Sequence, residues 1–200
     1  MSKKPHGFTI VALVVVIVVI AILAAIAVVS YRSTQQQARN TAISSNVQSW
    51  LKLLDVMYTR QGQVTVTLDS GYNAICLGSK SQYPAISGGL GEGECYINSH
   101  TSDELEAIIA KIGSAGMDTY VSNGSGLDFR GIQYGFDTEA GVSTVSPIIW
   151  FNLAGADQDC ASYVPDSEIS MYNSAGDAAT GCFVNVKEKY GGTPIEILEP

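Results

Sequence analysis

The distribution of apolar and polar residues divides the chain sharply after residue 29. Residues 10–29 read IVALVVVIVVIAILAAIAVV and contain no charged, amide or hydroxyl side chain, no glycine and no proline. At about 1.5 Å per residue they predict a helix of about 30 Å, which matches the hydrocarbon core of a bilayer. We therefore predict that this segment inserts into a membrane and carries the residues that follow it.

The helical pattern continues beyond this segment as far as Gly62, with no glycine or proline to interrupt it. Apolar residues recur at spacings of four, three, four and three at Ile43, Val47, Trp50, Leu54 and Met57, and Leu51 and Tyr58 widen this stripe. Such spacing places the side chains on one face of a helix. The sequence therefore predicts one long helix over about residues 8–61, whose second half packs on the chain's own globular domain.

Beyond Gly62 the pattern is mostly that of strands and turns. Residues 63–68 alternate between polar and apolar side chains, and short strands are predicted at residues 95–97, 132–136, 145–153 and 182–186. The glycine-rich residues 69–100 are interpreted as a loop pinned by a disulfide, and the last ten residues as an extended segment or edge strand. Together these features predict an α+β fold with a small antiparallel sheet against the long helix.

A short helix is predicted among these strands. Residues 101–104, TSDE, have the form of a capping box that starts at Thr101 and ends at Glu104. Apolar residues follow with helical spacing at Leu105, Ile108, Ile109 and Ile112. We expect this helix to end near Ile112, because two glycines follow closely.

The charge balance argues against a polyanionic partner. The chain has 11 basic and 19 acidic side chains and a net charge of −8 at pH 7. Phosphate binding requires clustered lysine and arginine, and Lys187 and Lys189 form the only close basic pair after residue 4. We therefore expect no nucleic-acid partner.

All four cysteines, Cys76, Cys95, Cys160 and Cys182, follow the apolar segment. An even number on the far side of a membrane helix indicates two disulfides in an oxidising compartment. Of the three possible pairings we favour Cys76–Cys95 and Cys160–Cys182, because each closes a short local loop worth roughly 3 kcal/mol. Unpaired core thiols are the alternative.

Several interpretations fit the N-terminus, where Lys3 and Lys4 indicate a cytoplasmic leader by the positive-inside rule. A secretory signal peptide could use residues 25–27, Ala-Ile-Ala, as its cleavage site, but its apolar core is usually shorter. A plain signal anchor accounts for the length and the charge, but not for the Gly-Phe-Thr junction at residues 7–9.

A third interpretation comes from the segment KPHGFTIVALVVVIVVIAILAAIAVVSYRS, which begins at residue 4. It resembles the class III signal and first helix of type IV pilins and of type II secretion pseudopilins. The resemblance implies that a prepilin peptidase removes leader residues 1–7 by cleavage between Gly7 and Phe8, and that Phe8 is N-methylated. It further implies a membrane and polymerisation helix over residues 8–31 and an extracytoplasmic domain over residues 32–200.

By this resemblance the chain would be a structural subunit of a type IV pilus or pilus-like fibre, and not an enzyme. Its partners would be other pilin subunits, the prepilin peptidase, the membrane platform of the assembly machinery and, before assembly, the lipid bilayer. It would lie in the cytoplasmic membrane and later in a cell-surface fibre, whose role in adhesion, motility, DNA uptake or secretion stays open. The residues expected in the polymerisation helix include Phe8, Ile10, Ala12, Leu13, Ile17, Ile20, Leu23 and Ile26.

Two positions depart from the family's pattern. The family's glutamate, thought to pair with the N-terminal amine of a neighbouring subunit, falls on Ala12, and its helix-loosening proline falls on Val29. Ala12 makes the span easier to insert by about 2.5–3.5 kcal/mol, if glutamate costs what aspartate does at a helix centre. Val29 predicts a helix less inclined to melt in its middle.

Little in the sequence indicates catalysis or metal binding. Histidine occurs only at His6 and His100, and hydrolase, metalloprotease and nucleotide-binding motifs are missing from the sequence. Asp157, Asp159 and Asp166 are calcium candidates, since some pseudopilins hold calcium in a C-terminal loop, but solvated loop acids are the alternative. We expect no other cofactor.

Other functions compete with that of a pilus subunit. A pseudopilin of a type II secretion system would share the same processing. A membrane-anchored binding or adhesion domain would keep residues 1–7 and form no fibre. A secreted hydrolase would be cleaved after Ala27, although the sequence offers no nucleophile–base pair for it.

Overall fold

A computed structural model of the chain describes residues 10–67, 74–86, 90–96, 99–112, 120–122, 128–137, 146–169, 179–186 and 195–198. Within this described part the chain forms one long helix, two shorter helices, one 3-10 turn and eleven strands. By its internal contacts the chain divides into two compact units, Met1–Ala38 and Arg39–Pro200.

The long helix α1 runs from Ile10–Gln61 without a break. Its 52 residues include no glycine or proline, so every turn can keep its backbone hydrogen bonds. Gly62 ends the helix as predicted: it has a φ of 73°, and its amide donates to the carbonyl of Tyr58 at 3.0 Å. This left-handed conformation suits glycine, which has no Cβ to clash.

Short strands and two small helices make up the rest of the described chain. The strands are β1 (Val64–Thr67), β2 (Ala74–Cys76), β3 (Glu94–Tyr96), β4 (Ser99–His100), β5 (Tyr120–Ser122), β6 (Asp128–Arg130), β7 (Gln133–Asp137), β8 (Ser146–Ala154), β9 (Ser167–Ile169), β10 (Ala179–Asn185) and β11 (Ile195–Leu198). The helices are α2 (Asp103–Ile112) and α3 (Cys160–Tyr163), and Lys80–Gln82 form the 3-10 turn.

Seven of these strands form one sheet in the order β3-β4-β2-β7-β8-β10-β9. Its neighbours pair antiparallel, except for the parallel pair β2 and β4. Two small sheets accompany it, a parallel pair of β1 with β11 and an antiparallel pair of β5 with β6. The α+β fold with an antiparallel-rich sheet is therefore confirmed.

The second half of α1 supplies one side of the hydrophobic core. The predicted stripe is buried except for Tyr58, which is half-buried, and Val47, Trp50 and Leu54 are fully inside. These side chains share one cluster with Ile149 and Phe151 of β8 and with residues of the other strands. A large apolar side chain contributes about 1.5–3 kcal/mol when fully buried, so this stripe is a major source of the domain's stability.

Both predicted disulfides, Cys76–Cys95 and Cys160–Cys182, are present. The second belongs to the main core cluster, whereas the first packs around Tyr83 in a cluster of its own. The expected local pairing is therefore confirmed, and each bridge is shielded from solvent.

Arg130, at the end of β6, orders the described part of the loop that the first disulfide closes. Its guanidinium donates to the carbonyl oxygens of Glu94 and Gly91, both at 2.7 Å, and to that of Pro84. It also lies 5.7 Å from the centre of the Tyr83 ring. Burial raises the pKa of Tyr83 and lowers that of Arg130, but a guanidinium stays charged in proteins. The buried Arg130 guanidinium thus orders a glycine-rich loop that has few side chains of its own to hold it.

The capping prediction for α2 was wrong by one residue, since the helix begins after Ser102 and not after Thr101. The Ser102 hydroxyl accepts from the Leu105 amide at 3.3 Å and donates to the Glu104 carboxylate at 2.6 Å. This hydrogen bond lowers the pKa of Glu104. Both Thr101 and Ser102 are good N-cap residues, so the sequence alone did not separate them.

The interpretation of residues 69–100 as a loop with one late strand was also incomplete. β2 lies near the middle of the sheet, between β4 and β7, and all three of its residues are buried. A strand of three buried residues shows no alternation, so its pattern does not differ from that of a loop. The C-terminal strand was expected, and Tyr134 holds it by donating to the Ile195 carbonyl at 2.9 Å.

Asn40 fixes the start of the packed half of α1. It is fully buried, and its amide pairs with the backbone of Ala154, accepting from the N–H at 2.8 Å and donating to the carbonyl at 3.1 Å. It also donates to Oε1 of Gln158 at 3.2 Å. One turn later, the Ser44 hydroxyl donates to the Tyr163 carbonyl. These bonds attach α1 to the segment between β8 and β9.

We expect Asn40→Ala to lower the free energy of unfolding by about 2–4 kcal/mol, because it leaves the partly buried Ala154 amide and carbonyl without their side-chain partner. The measurement is urea unfolding of the full chain in detergent. Ser45→Ala, on the exposed face of the same helix, is the control and should change stability by less than about 0.5 kcal/mol. Equal effects of the two substitutions would contradict the role given to Asn40.

Candidate functional site

The first part of α1 presents an apolar surface that is exposed in the described chain. Every large apolar side chain from Ile10 to Val28 in the described chain is 46–80% exposed. Among the predicted polymerisation residues these include Ile10, Leu13, Ile17, Ile20, Leu23 and Ile26, whereas Ala12 is half-buried. Gly7 and Phe8 lie outside the described residues.

This surface is apolar all the way round the helix. Within the described chain, Ile10–Arg60 is long and apolar enough to cross a membrane, and none of its most apolar window is buried. A helix that is hydrophobic on all sides belongs in a protein core or in lipid. In the described chain these side chains are exposed, so an external apolar environment has to cover them.

The polar part of α1 begins immediately after this surface. Ser30 is the first polar residue, and its carbonyl accepts a hydrogen bond from the Thr34 hydroxyl at 3.0 Å. Tyr31 is 64% exposed, and the charged Arg32 follows it. Aromatic and basic side chains are typical at the boundary between hydrocarbon and water. Residues 30–32 therefore mark the end of the predicted membrane span.

The three calcium candidates lie on the surface of the segment after β8. Asp157, Asp159 and Asp166 are exposed, and Asp157 and Asp166 have positive φ values of 53° and 64°. Among the described residues, no group of three or more histidine, cysteine, aspartate and glutamate side chains is placed to hold a metal ion. The structure thus does not gather these carboxylates, and a calcium site stays a prediction.

The pKa shifts in the described chain arise from folding interactions. Burial raises the pKa of Tyr83 and Tyr134 and lowers that of Arg130, and the Ser102 hydroxyl lowers that of Glu104. Each shifted group has a backbone or side-chain partner within the domain. These shifts follow from packing around the loops and the C-terminal strand.

The important polar residues that the sequence did not single out lie inside the domain. Asn40 and Ser44 occupy the margin of the apolar stripe, and Arg130 is the only basic residue between Lys111 and Lys187. Thr180 is fully buried, and its hydroxyl donates to the Gly155 carbonyl at 2.8 Å. The position of Asn40 beside the apolar stripe was the one sequence feature that could have indicated its role. Its hydrogen-bond partner Ala154 lies 114 positions away and could not be predicted from the sequence.

A long apolar helix, an antiparallel-rich sheet and two disulfides define an α+β protein with a pilin-like fold. Residues 2–28 match the family model described as the prokaryotic N-terminal methylation motif. The chain therefore carries a class III prepilin signal and is a type IV pilin-like protein, as the sequence resemblance predicted. Such a signal implies membrane anchoring, processing by a prepilin peptidase and assembly with other pilin subunits.

Comparison with curated proteins found no match to this chain, and comparison with solved structures found none either. The family assignment accordingly depends on the N-terminal motif together with the fold.

A charge in the middle of the span should impair membrane integration. We expect Ile20→Arg to cost about 2.5–3.5 kcal/mol of insertion free energy, measured as the fraction of precursor that resists alkaline extraction from membranes. Ile20→Leu and Tyr31→Arg are the controls, since the first keeps the apolar surface and the second adds the same charge beyond it. If all three variants integrate equally, this segment is not the membrane anchor.

Proposed function

We propose that the chain is a structural subunit of a type IV pilus or pilus-like fibre. In this proposal a prepilin peptidase cleaves between Gly7 and Phe8, and Phe8 becomes the methylated N-terminus. The mature subunit waits in the cytoplasmic membrane and is then built into a fibre at the cell surface. The protein acts by assembly rather than by catalysis, and the proposal includes no cofactor and no nucleic-acid partner.

The observation that carries the proposal is the uncovered apolar surface from Ile10 to Val28, which coincides with the prepilin motif. Lipid satisfies this surface before assembly. In a fibre outside the membrane, only the same surface on neighbouring subunits can do so. A single fully exposed large apolar side chain costs about 1.5–3 kcal/mol, and a domain is stable by only about 5–15 kcal/mol. Neighbouring subunits must therefore cover most of it.

Transfer from lipid to fibre brings little hydrophobic gain, because lipid tails are as apolar as these side chains. Assembly must therefore depend on van der Waals packing between helices and on the membrane platform that extracts each subunit. The assembly machinery is therefore a partner in this proposal.

The N-terminus of the mature protein tests this proposal. We expect intact mass and N-terminal sequencing of membrane-extracted protein to show loss of residues 1–7 and a singly methylated Phe8. We also expect the protein to be abundant in sheared surface fibres. Retention of residues 1–7 and absence from fibres would instead support an anchored binding domain, and cleavage after Ala27 would support a secreted protein. Processed protein without surface fibres would favour a pseudopilin.

Ala12 bears on how register is set between subunits. An alanine cannot supply the negative charge that would meet a neighbour's N-terminal amine, so we propose that helix packing and charges elsewhere set the register. The segment then inserts into lipid without the cost of a buried carboxylate. The Phe8 amine is left to other partners.

Restoring the carboxylate should therefore bring no gain. We expect Ala12→Glu to leave incorporation into sheared fibres unchanged or lower it, because the added charge must be desolvated in an interface that does not need it. Ala12→Gln, which has the same size without the charge, is the control. A clear rise in incorporation for the glutamate variant over the glutamine variant would contradict this account.

A further inference from the structure

The packed half of α1 has an outward face that no part of the described chain covers. It consists of Ala42, Ser45, Ser49, Lys52, Val56 and Arg60, all exposed, at spacings of three and four residues. We call this set the outer face. Positions so spaced lie on one side of a helix, and here it is the side away from the buried stripe.

The outer face combines small side chains, Ala42, Ser45 and Ser49, with the positive charges of Lys52 and Arg60. The Ser49 hydroxyl donates to the Ser45 carbonyl at 2.8 Å, so this polar group is satisfied within the helix. Small side chains over several turns allow another surface to approach closely. Within the described part of the chain, the ammonium of Lys52 and the guanidinium of Arg60 form no hydrogen bond or salt bridge. These two charges are therefore available to a partner.

The distribution of charged residues along the chain indicates which partner would fit the outer face. Residues 8–61 contain four basic and one acidic side chain, a net charge of +3, whereas residues 62–200 contain five basic and 18 acidic side chains, a net charge of −13. No basic residue occurs between Arg130 and Lys187. A second copy of this chain therefore presents a surface complementary to the outer face.

The acidic part of that surface is best defined between β8 and the end of β9. Asp157, Asp159 and Glu168 are exposed there. The backbone that carries them is held rigidly, since Thr180 accepts from the Gln158 amide at 2.9 Å and the Cys160–Cys182 disulfide follows. Because this backbone is already ordered, only the carboxylate side chains lose freedom when they meet a cationic partner.

We propose that the outer face docks on the acidic segment 155–169 of a second copy within the fibre. The inference rests on the proposed function, since assembly is what brings the copies together. Pairs of exposed charges are individually weak and are screened beyond about 8 Å at physiological salt. Their main effect is to select one alignment and reject others. This contact would align neighbouring subunits by charge, a role that Ala12 cannot fill in the apolar segment because it has no carboxylate.

Charge reversal on the outer face tests the inference in cells. We expect Lys52→Glu/Arg60→Glu to lower the yield of sheared fibres about tenfold or more. Lys80→Glu/Lys111→Glu, an equal change of charge at exposed sites outside α1, is the matched control and should keep the wild-type yield. Equal membrane levels of both variants, with both disulfides formed, would show that folding is not the cause.

A photo-crosslinking residue at Ser49 locates the partner directly. In wild-type fibres we expect crosslinked dimers whose second peptide lies within residues 155–169. Crosslinks only to other regions, or normal fibre yield from the reversed variant, would overturn this inference and leave the proposed function intact. Absence of fibres in the wild-type strain would overturn both.

Discussion

The whole arrangement depends on the apolar surface of the first part of α1, which is exposed in the described chain. From Ile10 to Val28 every large side chain is exposed. A surface of this kind is stable only where lipid or another apolar surface covers it. The protein therefore needs an apolar environment around residues 10–28 to be stable, whatever its function.

The same helix meets a different requirement after Ser30. Its second half is amphipathic and closes one side of a sheet core through Val47, Trp50 and Leu54. The buried polar groups at the start of this half are matched by hydrogen bonds, as Asn40 is with the backbone of Ala154. One continuous helix can thus lie partly in an apolar environment and partly in a solvent-facing domain. This requires its sequence to change from all-apolar to amphipathic at the boundary between the two. In this chain the change occurs within three residues.

The features that could be predicted from the sequence are those with long, regular patterns or strong local chemistry. The α1 stripe repeats over four turns, and the cysteines are close enough in sequence for local pairing to be favoured. Four of the short strands, β2, β5, β6 and β9, were not predicted, because each has three residues and is defined by pairing with other segments. The N-cap of α2 was misassigned because two adjacent residues were equally suitable.

For the candidate site, composition alone located the apolar surface, and the motif at residues 2–28 agrees with it. The partners of Asn40 and Arg130 depended on contacts that bring remote carbonyls together. Polar residues of this kind have no periodicity, so their roles become visible only in the folded chain. The charge division between α1 and the remaining domain was present in the sequence, but its significance depends on which of those charges are exposed.

The central claim is that the surface from Ile10 to Val28 is covered by lipid before assembly and by other copies of itself afterwards. A photo-crosslinking residue at Ile20 tests this claim most directly in membranes and in sheared fibres of the same cells. The account predicts crosslinks to lipid in the membrane fraction and to residues 10–29 of another copy in the fibre fraction. Crosslinks to lipid alone in both fractions, or to the globular domain of the same molecule, would contradict it.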